Sequence, residues 1–535
     1  MNEIFAYATG EGFSMLESGR FEEARSAFKK ACIDRPGNSL VWYGMGFAQV
    51  RAGLLDNPSI PLARAVVAAN RMTAIRVISE THLTIGLLYR RAGDHAAGRD
   101  AYRRALLAEP SNAQAWNNLA NLYTDNSKTS LAVAAAWRAV RAKPDYAAGW
   151  NNLTRLLTDQ GRLSETVGPQ RRCLVVTPGD RHGWINFAIV AKRQNHLNNA
   201  VNGFGRAVLV DPEDSEARMN LGRNLLLTGD LEKGWCTLEH DWRRQGFPPM
   251  NRGFSLPVWD GGAVHGGRLL VWCEEKIGEE IMFASMLPDV YALAGSLLFL
   301  SSPRVHQLFA RSFPYLDIIA WDGAGRPPAD LSDVRCCYPL EYVGRHLRRQ
   351  FKEFPKPRAY LRPSTSMSLG AMSRGLLRVG LSWHSTNPLV GIHQSLALEQ
   401  LGPILRIEGA RFVDLQYGNT NVERGIAEDC FGVTIDRPDS VDQIADIEGF
   451  ADFVAGLDLV ISISNTTVHV AGALGVETWV MLPKGPGLPW VWFEDHDVAL
   501  WYPRTKLFRQ ETPGDWRPVI DEVAKDLRRF VAASD

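Results

Sequence analysis

Pro110, Pro144, Pro178 and Pro212 stand 34 residues apart, and most of the N-terminal half falls into register with them. Aligned on these prolines, Trp116, Trp150 and Trp184 share one position, Leu119, Leu153, Phe187 and Leu221 a second, and Ala105, Ala139, Cys173 and Ala207 a third. Large apolar residues on one helix against small ones on its partner let two helix axes approach closely, and a unit this short cannot bury its apolar face alone. The period therefore predicts a stack of helix pairs, a solenoid, and excludes a single globular core for this half. An earlier unit ends at Pro36, with Ala24, Phe28 and Ala31 in the matching places. Pro36 and Pro110 are 74 residues apart, two periods plus 6, so the second unit, with Trp42 and Gly46, carries an insertion near Leu54 to Pro61. A degraded last unit runs from about Ser215 to Gly246, giving about seven units over residues 1–246.

The period and its residue types resemble the tetratricopeptide repeat. One further position recurs without a packing reason: Asn118, Asn152, Asn186 and Asn220, within W-N-N-L, W-N-N-L, W-I-N-F and R-M-N-L. An asparagine inside a helix is mildly unfavourable and buries no apolar surface. Two readings stand. The carboxamides line a concave groove and bond the backbone of an extended polypeptide, or each bridges to the neighbouring repeat. The pattern resembles the asparagine ladder of the protein O-GlcNAc transferases, which implies an acceptor protein held by the repeats. Gly10, Gly44 and Thr84 occupy this place in the first three units, so a ladder covers only the later ones.

Lys+Arg 59 balance Asp+Glu 59, so no whole-molecule field draws the chain to nucleic acid, and no nucleic-acid partner is expected. The start, MNEIFAYATGEGF, has neither a basic region nor an apolar run of signal type. The longest apolar stretch, Val290 to Leu300, is far short of the ~20 residues of a membrane span, and a cytoplasmic location is expected. The seven cysteines lack metal-ligand spacing and read as buried free thiols.

The C-terminal half alternates strand and helix. Arg243 to Gly267, rich in Pro and Gly, is a connector, with the linker proper at 247–266. Apolar runs of strand length follow at Leu269–Cys273, Ser296–Leu300, Val379–Trp383, Phe412–Leu415, Leu457–Ile463 and Thr478–Leu482. Helix-length segments lie at Glu279–Ala294, Ser395–Ile407 and Val441–Ala455. This alternation predicts doubly wound parallel sheets in two Rossmann-like lobes, 267–372 and 373–535, joined near Tyr360 to Leu376. The fold class is thus an α-solenoid followed by two α/β lobes. No G-x-G-x-x-G follows the first strand of either lobe, and no G-x-x-x-x-G-K-[ST] occurs, which argues against dinucleotide redox and P-loop chemistry. Ligands of open α/β sheets bind beyond the carboxyl ends of the strands. Three loops there carry polar groups: Glu274-Glu275-Lys276-Ile277-Gly278-Glu279-Glu280, then Ser382-Trp383-His384-Ser385-Thr386-Asn387, then Ser464-Asn465-Thr466-Thr467 with His469 and Gly472 just beyond. The last is an N-cap sequence whose helix-end amides suit a phosphate group.

From Gly267 to about Val531 the chain resembles the GT-B glycosyltransferases of the lipopolysaccharide heptosyltransferase-like group, especially bacterial proteins that fuse such a module to tetratricopeptide repeats. The matching stretches are EEKIGEEIMFASMLPD, VGLSWHS, FVDLQYG, FADFVAGLDLVISISNTTVHVAGALG, WVMLPKGPGLPWVWFEDHD, WYPRTKLFRQ and GDW. The resemblance implies inverting, metal-independent transfer of a sugar from a nucleotide donor bound by the second lobe. It points to Glu279 as the base and to His469 and the amides near Thr466 and Thr467 at the leaving phosphate. Lys276, Gly278 and Glu275 form the acceptor loop. Ser382, His384, Ser385, Asn387, Gln416, Ser464, Asn465 and Gly472 are assigned to the donor. Arg504 and Arg509 are further phosphate candidates, and Glu494-Asp495-His496-Asp497 reads as a solvated loop. The family pattern has Asp where Glu279 stands, often Gly at Lys276, and Asp-Thr at Ser464-Asn465. The donor is CMP-, UDP-, GDP- or ADP-linked. The architecture also resembles bacterial flagellin glycosyltransferases, implying flagellin as acceptor and a CMP-nonulosonic acid such as CMP-pseudaminic acid as donor. The alternatives are a saccharide or lipid-linked acceptor, and an inactive adaptor.

Overall fold

The structure is a computed structural model that describes residues 11–12, 14–16, 18–34, 39–51, 64, 75–242, 256–273, 276–323, 329–364, 376–387, 390–437 and 442–534. Pro36, Gly10, Glu275, the 54–61 insertion, most of the connector and the lobe junction beyond Ser364 lie outside the described residues. Residues up to Val190 form one compact unit and Ala191–Asp535 a second.

In the first unit, helices pair within repeats as Ile75–Arg91 with His95–Ala108, Ala113–Asp125 with Thr129–Ala142, and Ala147–Asp159 with Val167–Val176, while Phe21–Asp34, the last helix of the first repeat, packs on Ser39–Arg51, the first of the second. The periodic tryptophans have a common task beyond packing. The indole Nε1 of Trp116 donates to Pro110 O, that of Trp150 to Pro144 O and that of Trp184 to Pro178 O, each at 2.9 Å. Each ring thus satisfies a carbonyl in the inter-repeat turn while its apolar body packs on the helix pair. A second 34-residue register lies in the backbone. Gly93, Ser127, Gly161, Asn195 and Gly229 all take positive φ at the turn inside a repeat, and Gly19 does so 74 residues before Gly93. A left-handed residue closes the first helix, and glycine fills it at least cost. The 74-residue offset repeats that between Pro36 and Pro110, as an insertion in the second unit requires.

The second unit begins with the last repeats. Helices Leu197–Val210, Ser215–Leu227 and Leu231–Trp242 share a hydrophobic core with the first α/β lobe. Trp235 is the anchor. Its Nε1 donates to Arg348 O at 2.9 Å, its ring meets Trp490 edge-on at 5.3 Å, and a Cβ at Gly344 would lie 2.3 Å from it. Glu239 on the same helix accepts from Tyr338 Oη at 2.8 Å and Arg345 Nε at 2.9 Å. A boundary at residue 246 therefore separates repeat sequence from α/β sequence, whereas the two compact units divide at Val190/Ala191.

Among the described residues the sheets are all parallel. Strands β1 (Arg268–Trp272), β2 (Leu297–Ser301), β3 (Asp317–Ala320) and β4 (Val334–Pro339) lie in the order β3-β2-β1-β4. Strands β5 (Leu377–Ser382), β6 (Ala410–Asp414), β7 (Leu459–Ile463), β8 (Thr478–Leu482) and β9 (Thr505–Arg509) lie in the order β6-β5-β7-β8-β9. The expected strands form within two residues of their expected bounds. The strands not foreseen are β3, a four-residue edge strand, β4, whose run ends in proline, and β9, an edge strand with Lys506 and Arg509 among its five residues. The expected Glu279–Ala294 helix is two helices, Ile277–Ala284 and Leu287–Ala294, with Pro288 opening the second. The expected Ser395–Ile407 helix is reduced to short turns because Gly402-Pro403 interrupts it. None of the seven cysteines is in a disulfide, and Cys236 and Cys430 are exposed and Cys273 half-buried rather than buried.

Because Trp235 is buried in the shared core, Trp235→Ala is expected to cost about 3–5 kcal/mol and to lower the urea midpoint of the α/β transition along with that of the last repeats. Separate, unshifted α/β unfolding would show that the two parts are not one cooperative body.

Candidate functional site

In the second sheet the chain leaves β5 for β6 on one side and returns to β7 on the other, so the crevice of the topological switch lies between the carboxyl ends of β5 and β7. In the first sheet the corresponding place is between β1 and β4. The helix after β1, Ile277–Ala284, and the helix after β7, Thr466–Leu474, abut at their first turns. A Cβ on Gly278 would lie 2.9 Å from His469 Cδ2 and 3.4 Å from Thr466 Cα and Oγ1. Gly278, Thr466 and His469, distant in sequence, thus meet where the helices that follow β1 and β7 begin.

The residues assigned to the donor form a hydrogen-bonded chain across the strand ends. Asn465 caps its helix, its Oδ1 accepting from Thr467 N at 3.0 Å, while its Nδ2 donates to Ser382 Oγ at 2.7 Å. Ser382 Oγ donates in turn to Gln416 Oε1 at 3.1 Å. That oxygen also accepts from Trp383 N at 3.0 Å and His384 N at 2.8 Å, and Gln416 Nε2 donates to His384 O at 3.1 Å. Gln416 is buried, so it shapes the loop after β5 and leaves the exposed His384 ring on the outside. Ser385 N bonds Ser395 Oγ and Asn387 N bonds Ser385 Oγ, folding the rest of the loop back on itself. Tyr417, which sequence reasoning passed over, holds Thr386 through its hydroxyl. Ser464 Oγ accepts from Trp492 Nε1 at 2.7 Å.

His469 is 7 % exposed. Its Nδ1 lies 2.6 Å from Tyr502 Oη, and Trp492 stacks on its ring at 6.0 Å and 18°. Desolvation pushes its pKa down to about 4, so the ring is neutral at pH 7. Tyr502 stacks on Tyr360, whose Oη donates to Ile281 O at 2.9 Å. Gly472 faces this cluster rather than the crevice, since a Cβ there would lie 2.5 Å from Tyr502 Cγ. Tyr502, Tyr360 and Trp492 were legible only as parts of the matching tail and of the lobe junction.

The two carboxylates at the start of the Ile277–Ala284 helix differ sharply. Glu279 is half-buried beside Gly278, while Glu280 turns into the core at 1 % exposure and accepts from Ser302 N at 2.9 Å. Burial pushes the Glu280 pKa up to about 7. Lys276 caps the helix by position and is exposed. Arg504 pairs with Glu477 at 3.3 Å where β8 and β9 begin, the end opposite the crevice. Arg509 donates to Trp492 O and His496 O at 2.6 Å each and so pins the tail. Glu494 Oε1 accepts from Asn195 Nδ2 at 2.8 Å, so the Glu494–Asp497 loop is tied to the repeats of its own unit.

Two of the four repeated asparagines, Asn152 and Asn186, bond across repeats. Asn152 Nδ2 donates to Asn117 Oδ1 at 2.9 Å, and Asn186 Nδ2 reaches Asn151 Oδ1 at 3.3 Å. Each crosses from one repeat to the preceding position of the one before. Arg155 also donates to Asn152 Oδ1 at 2.8 Å. Asn220 Nδ2 donates within its own helix to Glu216 O at 2.9 Å, and Asn118 is half-buried. In the second unit of the array Gly44 has no room for a side chain against Phe28.

Glu280 sets a pH dependence of stability whose sign is determined. Its folded pKa lies above the ordinary 4.5, so the folded state holds a proton that the unfolded state has released, and stability falls as pH rises from about 4.5 to about 7. Glu280→Gln is expected to gain on the order of 3 kcal/mol over the wild type between pH 5 and pH 8 in urea melts. A difference that stays flat across this range would contradict the burial of the carboxyl.

The tetratricopeptide repeat family model matches residues 83–147 and 185–234. The N-terminal region is thus a tetratricopeptide array, an architecture whose concave faces bind other proteins. Protein FlbA of Caulobacter vibrioides is 30% identical over 334 residues, covering 58% of this chain and 54% of FlbA, so the chain spans about half the length of that curated relative. Among solved structures, the type IV pilus biogenesis factor PilW aligns at 16% identity and a TM-score of 0.36, over 41% of this chain and 100% of its own. YrrB, a TPR protein with an unusual peptide-binding site, aligns at 16% identity and a TM-score of 0.29, over 36% of this chain and 95% of its own. No described helix is long and apolar enough to cross a membrane.

Proposed function

We propose that the chain is a glycosyltransferase that moves a sugar from a nucleotide donor to Ser or Thr hydroxyls of a protein acceptor brought in by the repeats. The observation that carries this reading is the contact at Gly278, Thr466 and His469 between the helix starts that follow the switch-point strands β1 and β7. The amide-rich start of the Thr466–Leu474 helix is the place for a nucleotide diphosphate or monophosphate, and Glu279, half-buried one residue beyond Gly278, is the carboxylate offered to an acceptor. Glu279 takes the proton from the attacking hydroxyl as the sugar leaves. The helix-end amides and His469 carry the charge that develops on the departing phosphate. Flagellin is the first acceptor to try, and a CMP-nonulosonic acid the first donor, on the sequence resemblance described above.

A second reading, an inactive binding adaptor, has one observation in its favour. Ser382, Gln416, Ser464 and Asn465 already satisfy one another or a neighbouring indole. A panel of CMP-, UDP-, GDP- and ADP-sugars separates the two. A donor at 100 times its dissociation constant is expected to stabilise the second unit by ~2.7 kcal/mol in thermal melts. Transfer of its sugar to flagellin, read by intact mass, is expected to persist in EDTA and to fall at least a hundredfold in Glu279→Gln, the loss of a positioned base. An unchanged melt with every donor would favour the adaptor, and transfer to a free glycan without protein would reassign the acceptor.

A further inference from the structure

Two helices of the last repeats end in cations beside the turn that follows β8. Lys192 and Arg193 close the helix Arg181–Arg193, and Arg223 lies one turn past Asn220 on Ser215–Leu227. Neither helix carries a carboxylate beyond its first turn. Both helix ends rest on the chain after β8. A Cβ on Gly485 would lie 3.8 Å from Arg193 O, Glu494 N donates to Leu227 O at 3.0 Å, and Asn195 Nδ2 donates to Glu494 Oε1 at 2.8 Å. His393, in the loop after β5, flanks the same turn. A Cβ on Gly487 would lie 2.8 Å from His393 Cβ, and Gln394 Nε2 donates to Gly487 O at 2.8 Å. All four basic groups belong to the second compact unit, on the side of its second sheet where β5 and β8 end.

Like charges crowd at this place. Burial and then the charge of Arg223 push the Lys192 pKa down, and burial and then the charge of Arg193 do the same to His393. The acidic residues nearest in sequence act on other groups: Glu494, Asp495 and Asp497 on Arg509, and Asp230 on Lys233, which it pairs at 2.7 Å. The helix macrodipole accounts for a solvated cation in a last turn, but not for a lysine half-buried beside a second cation. We propose that Lys192, Arg193, Arg223 and His393 bind carboxylates of the acceptor protein, so that the acceptor segment passing from the repeats to the transferase lobes is acidic. Ammonium and guanidinium groups complement a carboxylate with charge-assisted hydrogen bonds, and three of the four stand on repeat helices, on the acceptor's path. The assignment to an acceptor rests on the glycosyltransferase reading, whereas binding of an acidic segment is measurable without any donor.

The full chain, without donor, is titrated by fluorescence anisotropy with two short labelled peptides, one alternating Ser and Glu, the other Ser and Gln. The Ser-Glu peptide is expected to bind about tenfold or more tightly than its counterpart, with a difference that shrinks as NaCl is raised. Arg223→Glu, at an exposed position, and Lys192→Gln are each expected to remove most of that difference, and Arg223→Glu to bind a Ser-Lys peptide better than the wild type does. Arg104→Glu combined with Arg172→Glu, exposed cations on other repeat helices, is expected to change nothing. Equal affinity of the wild type for the Glu and Gln peptides, binding of neither, an unchanged preference in Arg223→Glu, or an equal loss in the Arg104 and Arg172 pair would overturn the proposal. Displacement of the Ser-Glu peptide by CMP, UDP, GDP or ADP would assign the cations to the donor and overturn it as well. Binding of the Ser-Glu peptide with no binding of any nucleotide would remove the glycosyltransferase reading and leave the acidic-segment site in place on an adaptor.

Discussion

Gly278 has no space for a side chain, and the arrangement of the α/β region depends on that fact. Its backbone opens the helix after β1 directly against the first turn of the helix after β7, so a single methyl group there would have to displace His469 or Thr466. This close approach brings together loops from two separate sheets, each at the point where its strand order reverses. The start of the lobe junction reinforces it, since Tyr360 N and Leu361 N both donate to Ala473 O.

Tryptophan serves two kinds of packing in this chain. In the array it is a periodic device, an apolar plate whose N–H closes the turn behind it. In the α/β unit, Trp235, Trp490 and Trp501 form a contiguous aromatic cluster with Phe283 and Phe354, while Trp492 links Ser464 to His469. The tail tryptophans thus serve both as the seat of the last repeats, through Trp490, and as one wall of the imidazole pocket, through Trp492.

Much of the fold was legible because periodicity and apolar runs are local signals. A 34-residue repeat announces itself through prolines and tryptophans, and a buried parallel strand through an unbroken apolar run. The edge strands β3 and β9 carried too few apolar residues to stand out, and the Gly402-Pro403 step removed a helix that the pattern alone proposed. At the site, helix starts and loop polarity located Thr466, His469, Ser382 and Gly278. What a polar residue bonds to is a different question. Gln416, Ser464 and Asn465 are polar residues in the right loops, yet their capacity is spent on each other and on Trp492, which no spacing could reveal.

The sequence by itself determined the solenoid, the pair of parallel sheets and the loops where ligands of such sheets bind, since each follows from a period or from the direction in which strands run. Tertiary structure decided the rest. It joined the last repeats to the first lobe through Trp235, turned the asparagine register into bonds between repeats at Asn152 and Asn186, and gave His469 a tyrosine partner from the tail. The physical reason is common to all three. Hydrogen bonds and close ring packing act over a few ångströms between residues tens to more than a hundred positions apart, and only the folded chain sets those distances.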